Sequence, residues 1–261
     1  IMELIDIGAN LTHDSFQSDL PLVLERARAA KVSTLVITGA SLASAEAAIA
    51  LAKNDQNLWA TAGIHPHHAE TVTPAALDRL AQLALDPKVV ALGEMGLDYF
   101  RDFTPRDIQL HAFESQLQLA VDIGKPVFLH ERDAASDFIG ILKRYRSQLT
   151  EVVVHCFTGS EASLESYLAL DCHIGITGWI CDERRGKHLH DLVPSIPANR
   201  LMIETDAPYL LPRTLKPKPK DRRCEPSHLV EVCRFTSALR GQSASQLAAE
   251  TTATAKKFFR L

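Results

Sequence analysis

Glu94 ends the run Val89-Val90-Ala91-Leu92-Gly93, which is too short and too apolar for a surface helix. Glycines at 93 and 96 bracket the exit. Such a run predicts a buried parallel strand. A carboxylate leaving it must be paired, protonated or bound to a cation, because an unpaired charge out of water is costly. Three further apolar runs finish in the same way. Pro126-Val127-Phe128-Leu129 ends in His130, Val152-Val153-Val154 ends in His155, and Leu201-Met202-Ile203 ends in Glu204-Thr205-Asp206. One histidine at a strand end is ordinarily a hydrogen-bonded core residue. Four metal-capable side chains at the ends of four strand-like runs point instead to a ligand set of Glu94, His130, His155 and Asp206. Two imidazoles with two carboxylates suit a divalent ion: oxygen ligands favour Mg2+ or Mn2+, and imidazoles also accept Zn2+. Such an ion acidifies water and polarises the bond under attack. Asp206 lies in Thr-Asp-Ala-Pro, where it could ligate, accept the proton of the attacking water, or cap the turn before Pro208. For Glu94 the alternative is a buried ion pair with Arg132.

The elements that would carry these residues alternate between strand and helix. Strands are expected at Leu4–Gly8, Thr34–Thr38, Leu58–Gly63, the run into Glu94, the runs into His130 and His155, Cys172–Ile176 and Leu201–Glu204. Helices are expected at Leu20–Ala30, Ser41–Ala52, from Thr73-Pro74, at Pro105–Ile123, Glu161–Leu170, Glu183–Leu192, Ser227–Leu239 and Ser243–Phe259. Within Pro105–Ile123, Leu110, Phe113, Leu117, Ala120 and Val121 recur at helical spacing and predict the core-facing stripe. Eight strands with intervening helices predict an α/β fold, the eightfold (β/α)8 TIM barrel, as one domain over residues 1–261. In that fold the C-terminal strand ends meet at one mouth, where active sites lie. An open doubly wound sheet is the second choice. G-x-G-x-x-G after the first strand, the phosphate-binding G-x-x-x-x-G-K-[ST] and the nucleophile elbow G-x-S-x-G are all absent, which removes the usual nucleotide and serine-hydrolase signatures.

The substrate side of the mouth is legible in basic and aromatic residues. His65 and His67, in Gly63-Ile64-His65-Pro66-His67, follow the third strand and are candidate phosphate contacts, with His67 also able to donate a proton. Arg132 could bind a phosphate oxygen through a charge-assisted bond. Arg213–Arg223 holds six basic residues and one acidic, a local charge of +5. Lys216, Lys218, Arg222 and Arg223 of this loop are candidate contacts to a phosphodiester; the alternative is a solvated surface loop. Trp179, Tyr99, Phe100 and Tyr209 offer faces on which bases could stack. The net charge of −4 gives no global attraction to nucleic acid. No stretch is long and apolar enough to predict a membrane span. Five cysteines without a C-x-x-C pair predict reduced thiols in the cytoplasm. Ile1-Met2-Glu3-Leu4-Ile5-Asp6 leads into a strand and lacks the form of a signal peptide; Ile1 ahead of Met2 is expected to be an addition to the natural chain.

As a set, Gly63-Ile64-His65-Pro66-His67, Gly93-Glu94-Met95-Gly96-Leu97-Asp98, His130-Glu131-Arg132-Asp133, His155-Cys156-Phe157-Thr158-Gly159 and Glu204-Thr205-Asp206-Ala207-Pro208-Tyr209-Leu210 resemble the TatD family of metal-dependent deoxyribonucleases, from Asp6 to the C-terminal helix. Gly175–Gly186 resembles the member for which that family is named more than its paralogues. The resemblance implies Mg2+-dependent 3′-to-5′ exonuclease action on single-stranded DNA and RNA, a role in repair of oxidative DNA damage, a cytoplasmic location, and Glu94, His130 and His155 as ligands with Asp206 as ligand or base; a monomer is expected. Most of the family carries H-x-H at the end of the first strand; here Gly8 and Asn10 hold those places, so a tightly held second ion is not expected. Cys224 stands where the family usually has Asn. Two other readings compete. An amidohydrolase acting on a small amide or lactone would have no use for the +5 loop. A non-catalytic nucleic-acid scaffold would have no use for a complete ligand set.

Overall fold

The computed structural model describes residues 3–261; Ile1 and Met2, and the expectations placed on them, lie outside the described residues. The strands are β1 (Leu4–Ala9), β2 (Val32–Ile37), β3 (Leu58–Ala62), β4 (Val89–Asp98), β5 (Val127–Arg132), β6 (Val152–Val154), β7 (His173–Ile176) and β8 (Leu201–Ile203). The helices are α1 (Leu20–Ala29), α2 (Leu42–Ala52), α3 (Pro74–Ala84), α4 (Arg106–Ile123), α5 (Ala135–Tyr145), α6 (Glu161–Ala169), α7 (Leu189–Leu192), α8 (Leu229–Leu239) and α9 (Ala244–Phe259). The eight strands follow one another in chain order in one sheet. That is the topology of the eightfold α/β barrel; a doubly wound sheet would reverse its strand order part-way. No helix among the described residues is long and apolar enough to cross a membrane.

The residues form two compact units: the chain to Ile37 with Cys156–Thr158 and Ile174–Leu261, and Thr38–His155 with Gly159–His173. The second unit holds β3 to β6 with α2 to α6. Its central strand, β4, is buried along all ten residues and differs from expectation in length. It does not stop at Glu94 but runs on to Asp98. The parallel ladder to β5 skips at Glu94: Gly93 pairs with Phe128 and Met95 with Leu129. A bulge of this kind re-aims one side chain while the strand continues. Gly93 has φ 138°, and a Cβ there would collide with the Phe128 carbonyl oxygen, so the bulge requires glycine.

Helix α4 packs on this sheet by a stripe rotated from the expected one. Phe113, Leu117 and Ala120 are buried as predicted, but Leu110 and Val121 are half-exposed, and Gln109, Ala112 and Gln116 complete the buried face. The buried positions 109, 112, 113, 116, 117 and 120 keep helical periodicity; two of them are polar, and both amides are fully hydrogen-bonded, as described below. Helix α5 is an addition to the expected elements. It buries Phe138, Ile141 and Leu142 and has no side-chain N-cap, so the cap and proline signals that mark α2 and α3 are missing there.

In the first unit, β1 pairs with β2 and β7 with β8, both in parallel. Buried Asp6 accepts hydrogen bonds from Gly8 N, Thr205 N and Thr205 Oγ1, tying β1 to the residues after β8. The helix expected over Glu183–Leu192 shrinks to Leu189–Leu192. The Asp182 carboxylate accepts the backbone N–H groups of Arg184 and Arg185 and pairs with both guanidinium groups, so a side-chain turn competes with the first helical turn. No disulfide links the five cysteines.

Candidate metal centre and its surroundings

The second unit brings three imidazole nitrogens onto one carboxylate oxygen. Glu94 Oε1 lies 2.7 Å from His155 Nε2, 3.0 Å from His130 Nδ1 and 3.4 Å from His65 Nε2. Donor atoms of His65, Glu94 and His130 all fall within 4.8 Å of one another, the spacing of a metal-binding group. Glu94 and His155 are buried and His130 is nearly so. Burial alone would raise the Glu94 pKa, but the His155 and His65 imidazoles beside it and hydrogen bonds from His130 and His155 outweigh it and hold the carboxyl well below its ordinary range.

Strand geometry explains why these groups meet. Gly96 pairs with His130 in the β4–β5 ladder. Glu94 and Asp98 stand two residues to either side of Gly96, on the same face of the strand. His130 therefore lies between two carboxylates, with Nδ1 toward Glu94 and Nε2 3.3 Å from Asp98 Oδ2. Gly96 has φ 152°, and a Cβ there would strike the His130 carbonyl. Burial opposes protonation of His130, yet the bonds to Asp98 and Glu94 raise its pKa above the ordinary value. His155 follows β6, its N–H bonded to Leu129 O at 2.9 Å and its ring stacked on Phe128 at 4.4 Å.

Asp98 is a member of this cluster that reading the strand as ending at Glu94 missed. Its Oδ2 also faces His67 Nε2 at 2.9 Å, and its Oδ1 accepts the N–H groups of Phe100 and Arg101 at 3.1 and 2.8 Å. Burial works against its ionisation, but hydrogen bonds from His130, His67 and Arg101 prevail and keep its pKa far below the ordinary range. The buried amides of α4 clamp the loops that carry these groups. Gln116 Oε1 accepts Ile64 N–H at 2.8 Å and its Nε2 donates to Ile64 O at 3.0 Å. Gln109 makes the same pair of bonds to Asp98 N and O, at 2.9 and 3.2 Å, and donates to Thr104 O at 2.8 Å. Two glutamines seven residues apart, in register with the apolar stripe, were the available sequence signal for them.

His65 was expected to face phosphate and instead turns into the Glu94 cluster. Its Nδ1 accepts the His67 N–H at 3.0 Å, which assigns the ring proton to Nε2, the nitrogen that faces Glu94. Burial holds its pKa well below the ordinary value, so the ring is neutral. His67, half-buried, is held by Asp98. The Arg132 guanidinium lies over the Phe100 ring at 3.9 Å. In the first unit, Asp206 has a left-handed backbone (φ 55°), its N–H bonds Gly8 O at 2.8 Å, and its Oδ1 accepts from Asn10 Nδ2 at 3.0 Å. Asn10 thus presents its amide nitrogen, rather than its oxygen, to Asp206. In the basic loop Lys216, Lys218 and Arg222 are exposed. Arg223 is not available to a phosphate: its guanidinium binds Asp19, Glu225 and Ser15 O, with little surface left. Three of the four expected stacking rings carry a guanidinium on one side: Phe100 as above, Tyr99 from Arg106 at 4.1 Å and Trp179 from Arg185 at 4.3 Å.

A buried carboxylate ringed by imidazoles, on an eightfold α/β scaffold, suits hydrolytic chemistry of more than one kind, and comparison with known proteins narrows it. A family profile described as TatD related DNase matches residues 5–260. The chain belongs to that family. It is 48% identical over 259 residues to a protein of Erwinia amylovora named 3'-5' ssDNA/RNA exonuclease TatD, covering 99% of this chain and 100% of that one. A protein of the same name from Klebsiella pneumoniae is 45% identical over 256 residues, 98% of this chain and 97% of that one. Among solved structures, the TatD homologue YJJV of Escherichia coli superposes with a TM-score of 0.91 at 29% identity, over 100% of this chain and 99% of that one. A TatD family hydrolase of Entamoeba histolytica gives 0.89 at 30% identity, over 98% of each chain. The family's nuclease chemistry and the His/Glu/His group of this chain agree on a divalent metal ion.

Proposed function

We propose that this chain is a divalent-metal-dependent exonuclease that hydrolyses phosphodiester bonds of single-stranded DNA and RNA from the 3′ end. It acts as one nuclease domain over residues 1–261, as a monomer in the cytoplasm, and serves repair of oxidatively damaged DNA. The convergence of three imidazole nitrogens on Glu94 Oε1 within 3.4 Å carries the reading. The family and the full-length relatives named as single-strand exonucleases support the substrate.

The donor chemistry fits a divalent ion: Glu94 supplies an anionic oxygen, and His130 and His155 would supply nitrogens once the cation displaces the protons they share with Glu94. A bound cation would take the place of the Nδ1 proton that His130 shares with Glu94, while Nε2–H stays on Asp98, the carboxylate–histidine arrangement that fixes a ligating tautomer. His65 differs from these two, because its Nδ1 is already an acceptor and its Nε2 keeps the proton. In this tautomer it serves as a hydrogen donor to Glu94 or to a phosphate oxygen. We propose Mg2+ as the working ion, with Mn2+ and Zn2+ accepted in vitro because of the imidazoles. When bound, such an ion supplies Lewis-acid polarisation of the phosphodiester and acidifies water. Asp206, held by Asn10, accepts the proton of the attacking water or joins the ligands. His67, kept in place by Asp98, and Arg132 contact substrate phosphate, as do Lys216, Lys218 and Arg222.

End-labelled single-stranded DNA incubated with Mg2+ and with chelator tests the reading. Stepwise release of mononucleotides from the 3′ end with Mg2+, abolished by chelator, is expected. Release in chelator, or none with any divalent ion, overturns it. Calorimetric titration of the substrate-free protein with Mn2+ is expected to show one tight equivalent, because Gly8 and Asn10 offer no imidazole.

A further inference from the structure

We infer that Phe103 is a stacking face for a nucleobase of the single strand, a step that rests on the nuclease reading above. Phe103 is 66% exposed and Phe100, three residues before it, is 54% exposed. One exposed apolar side chain is ordinary on a protein surface. Two in one short loop that cannot turn inward are not. The loop after β4 is pinned along its length. Phe100 N and Arg101 N donate to Asp98 Oδ1, Arg106 pairs with Asp102, Thr104 Oγ1 donates to Glu70 Oε2 at 2.8 Å, and Gln109 holds Thr104 O. Phe103 is thus held out in water by a rigid frame.

Its neighbours suggest what covers it. The Phe103 ring packs against the His67 ring at 4.8 Å. His67 bonds Asp98, and Asp98 bonds His130. A base lying on Phe103 would stand one ring away from a residue tied directly to the Glu94 cluster. In the same loop, the Phe100 ring has the guanidinium groups of Arg132 and Arg101 at 3.9 and 5.8 Å. Aromatic faces for bases beside cations for phosphates are the means by which single strands are held without regard to sequence. Bases of a duplex are already stacked and paired, so a platform of this kind favours a strand whose bases are free. Phe103 would therefore help set the single-strand preference as well as the position of the strand.

A fluorescein-labelled oligothymidylate, with abasic residues placed one at a time along its 3′ end and Ca2+ replacing Mg2+ to suppress hydrolysis, isolates this contact. For the unaltered protein, one abasic position is expected to weaken Kd by roughly 5- to 150-fold, the stacking contribution of one base. Phe103→Ala should bring that ratio close to unity, and Phe103→Trp should keep it. Phe103→Leu, which retains apolar bulk without a π-face, should behave like the alanine variant and guards against a folding defect. Indifference of the unaltered protein to every abasic position, or a full ratio in the alanine and leucine variants, overturns the inference. Failure of the nuclease reading would be seen separately, as no 3′ mononucleotide release from the unmodified strand with Mg2+.

Discussion

Glu94 holds a negative charge out of water because three imidazoles face one of its oxygens. Replacing it by glutamine keeps the shape and removes the charge that both the imidazoles and a cation need. Glu94→Gln is expected to lose Mn2+ binding and hydrolysis while keeping a cooperative thermal melt; retained calorimetric binding would exclude Glu94 as a ligand. Asp6 presents the opposite case. Burial pushes its pKa up to about 7, against hydrogen bonds from Thr205 and Gly8 that favour the anion. Between its unfolded value near 4 and about 7, the folded state binds more protons than the unfolded one. Stability therefore falls as pH rises through that window, by on the order of 4 kcal/mol in all. Asp6→Asn mimics the protonated form: its carbonyl can accept from Gly8 N and Thr205 N, and its amide can donate to Thr205 Oγ1. The variant should fold and show a smaller decline in melting temperature between pH 4 and 7. An unchanged pH profile would place the titration elsewhere.

At the scale of elements, α4 acts on the site without contributing a residue to it. Gln116 and Gln109 each bind both backbone groups of one loop residue, Ile64 and Asp98. Leucine at 116 would fit the apolar stripe but would leave Ile64 N–H and C=O without partners. Each orphaned buried group costs about 1–3 kcal/mol. Gln116→Leu is therefore expected to lower the urea midpoint and, by loosening the segment that carries His65 and His67, to weaken metal binding. Stability within about 0.5 kcal/mol of the unaltered protein, the range of ordinary surface changes, would show that the amide is not needed there.

Across the whole molecule, the basic loop divides by pairing and exposure. Arg213 binds Glu183 and Arg223 binds Asp19 and Glu225, while Lys216, Lys218 and Lys220 stay exposed. The two arginines anchor the loop; the exposed lysines are the ones we propose as contacts to a polyanion that a net charge of −4 would otherwise repel. Neutralising the three lysines should weaken single-strand binding and reduce the slope of log affinity against log salt by roughly 0.7 for each phosphate no longer neutralised. Arg223→Ala should instead lower the melting temperature, because it removes one of the two cations that Asp19 and Glu225 share and leaves them to Arg26 alone. An unchanged salt slope in the lysine variant would leave that segment a solvated surface.

The sequence by itself determined the alternation of strands and helices, the family, and the side chains at the heart of the site. These follow from local properties: apolar runs of strand length, prolines and caps at helix starts, and Glu94, His130 and His155 directly after or within those runs. It did not determine where β4 ends, because a bulge at Glu94 lets the strand continue through two glycines, and nothing local reports the β5 register that requires them. Asp98 went unassigned for that reason. The face of α4 was misplaced because glutamine is read as a surface residue until its backbone partners are known. Arg223 looked available for phosphate because its acids lie about 200 residues away along the chain, at Asp19, as well as next door at Glu225. The exposure of Phe103, and its contact with His67, depend on how a loop is pinned by hydrogen bonds. Composition and periodicity report which residues prefer to be buried; tertiary structure alone decides which hydrogen-bonding groups find each other, and so which charges are already neutralised and which remain for a substrate.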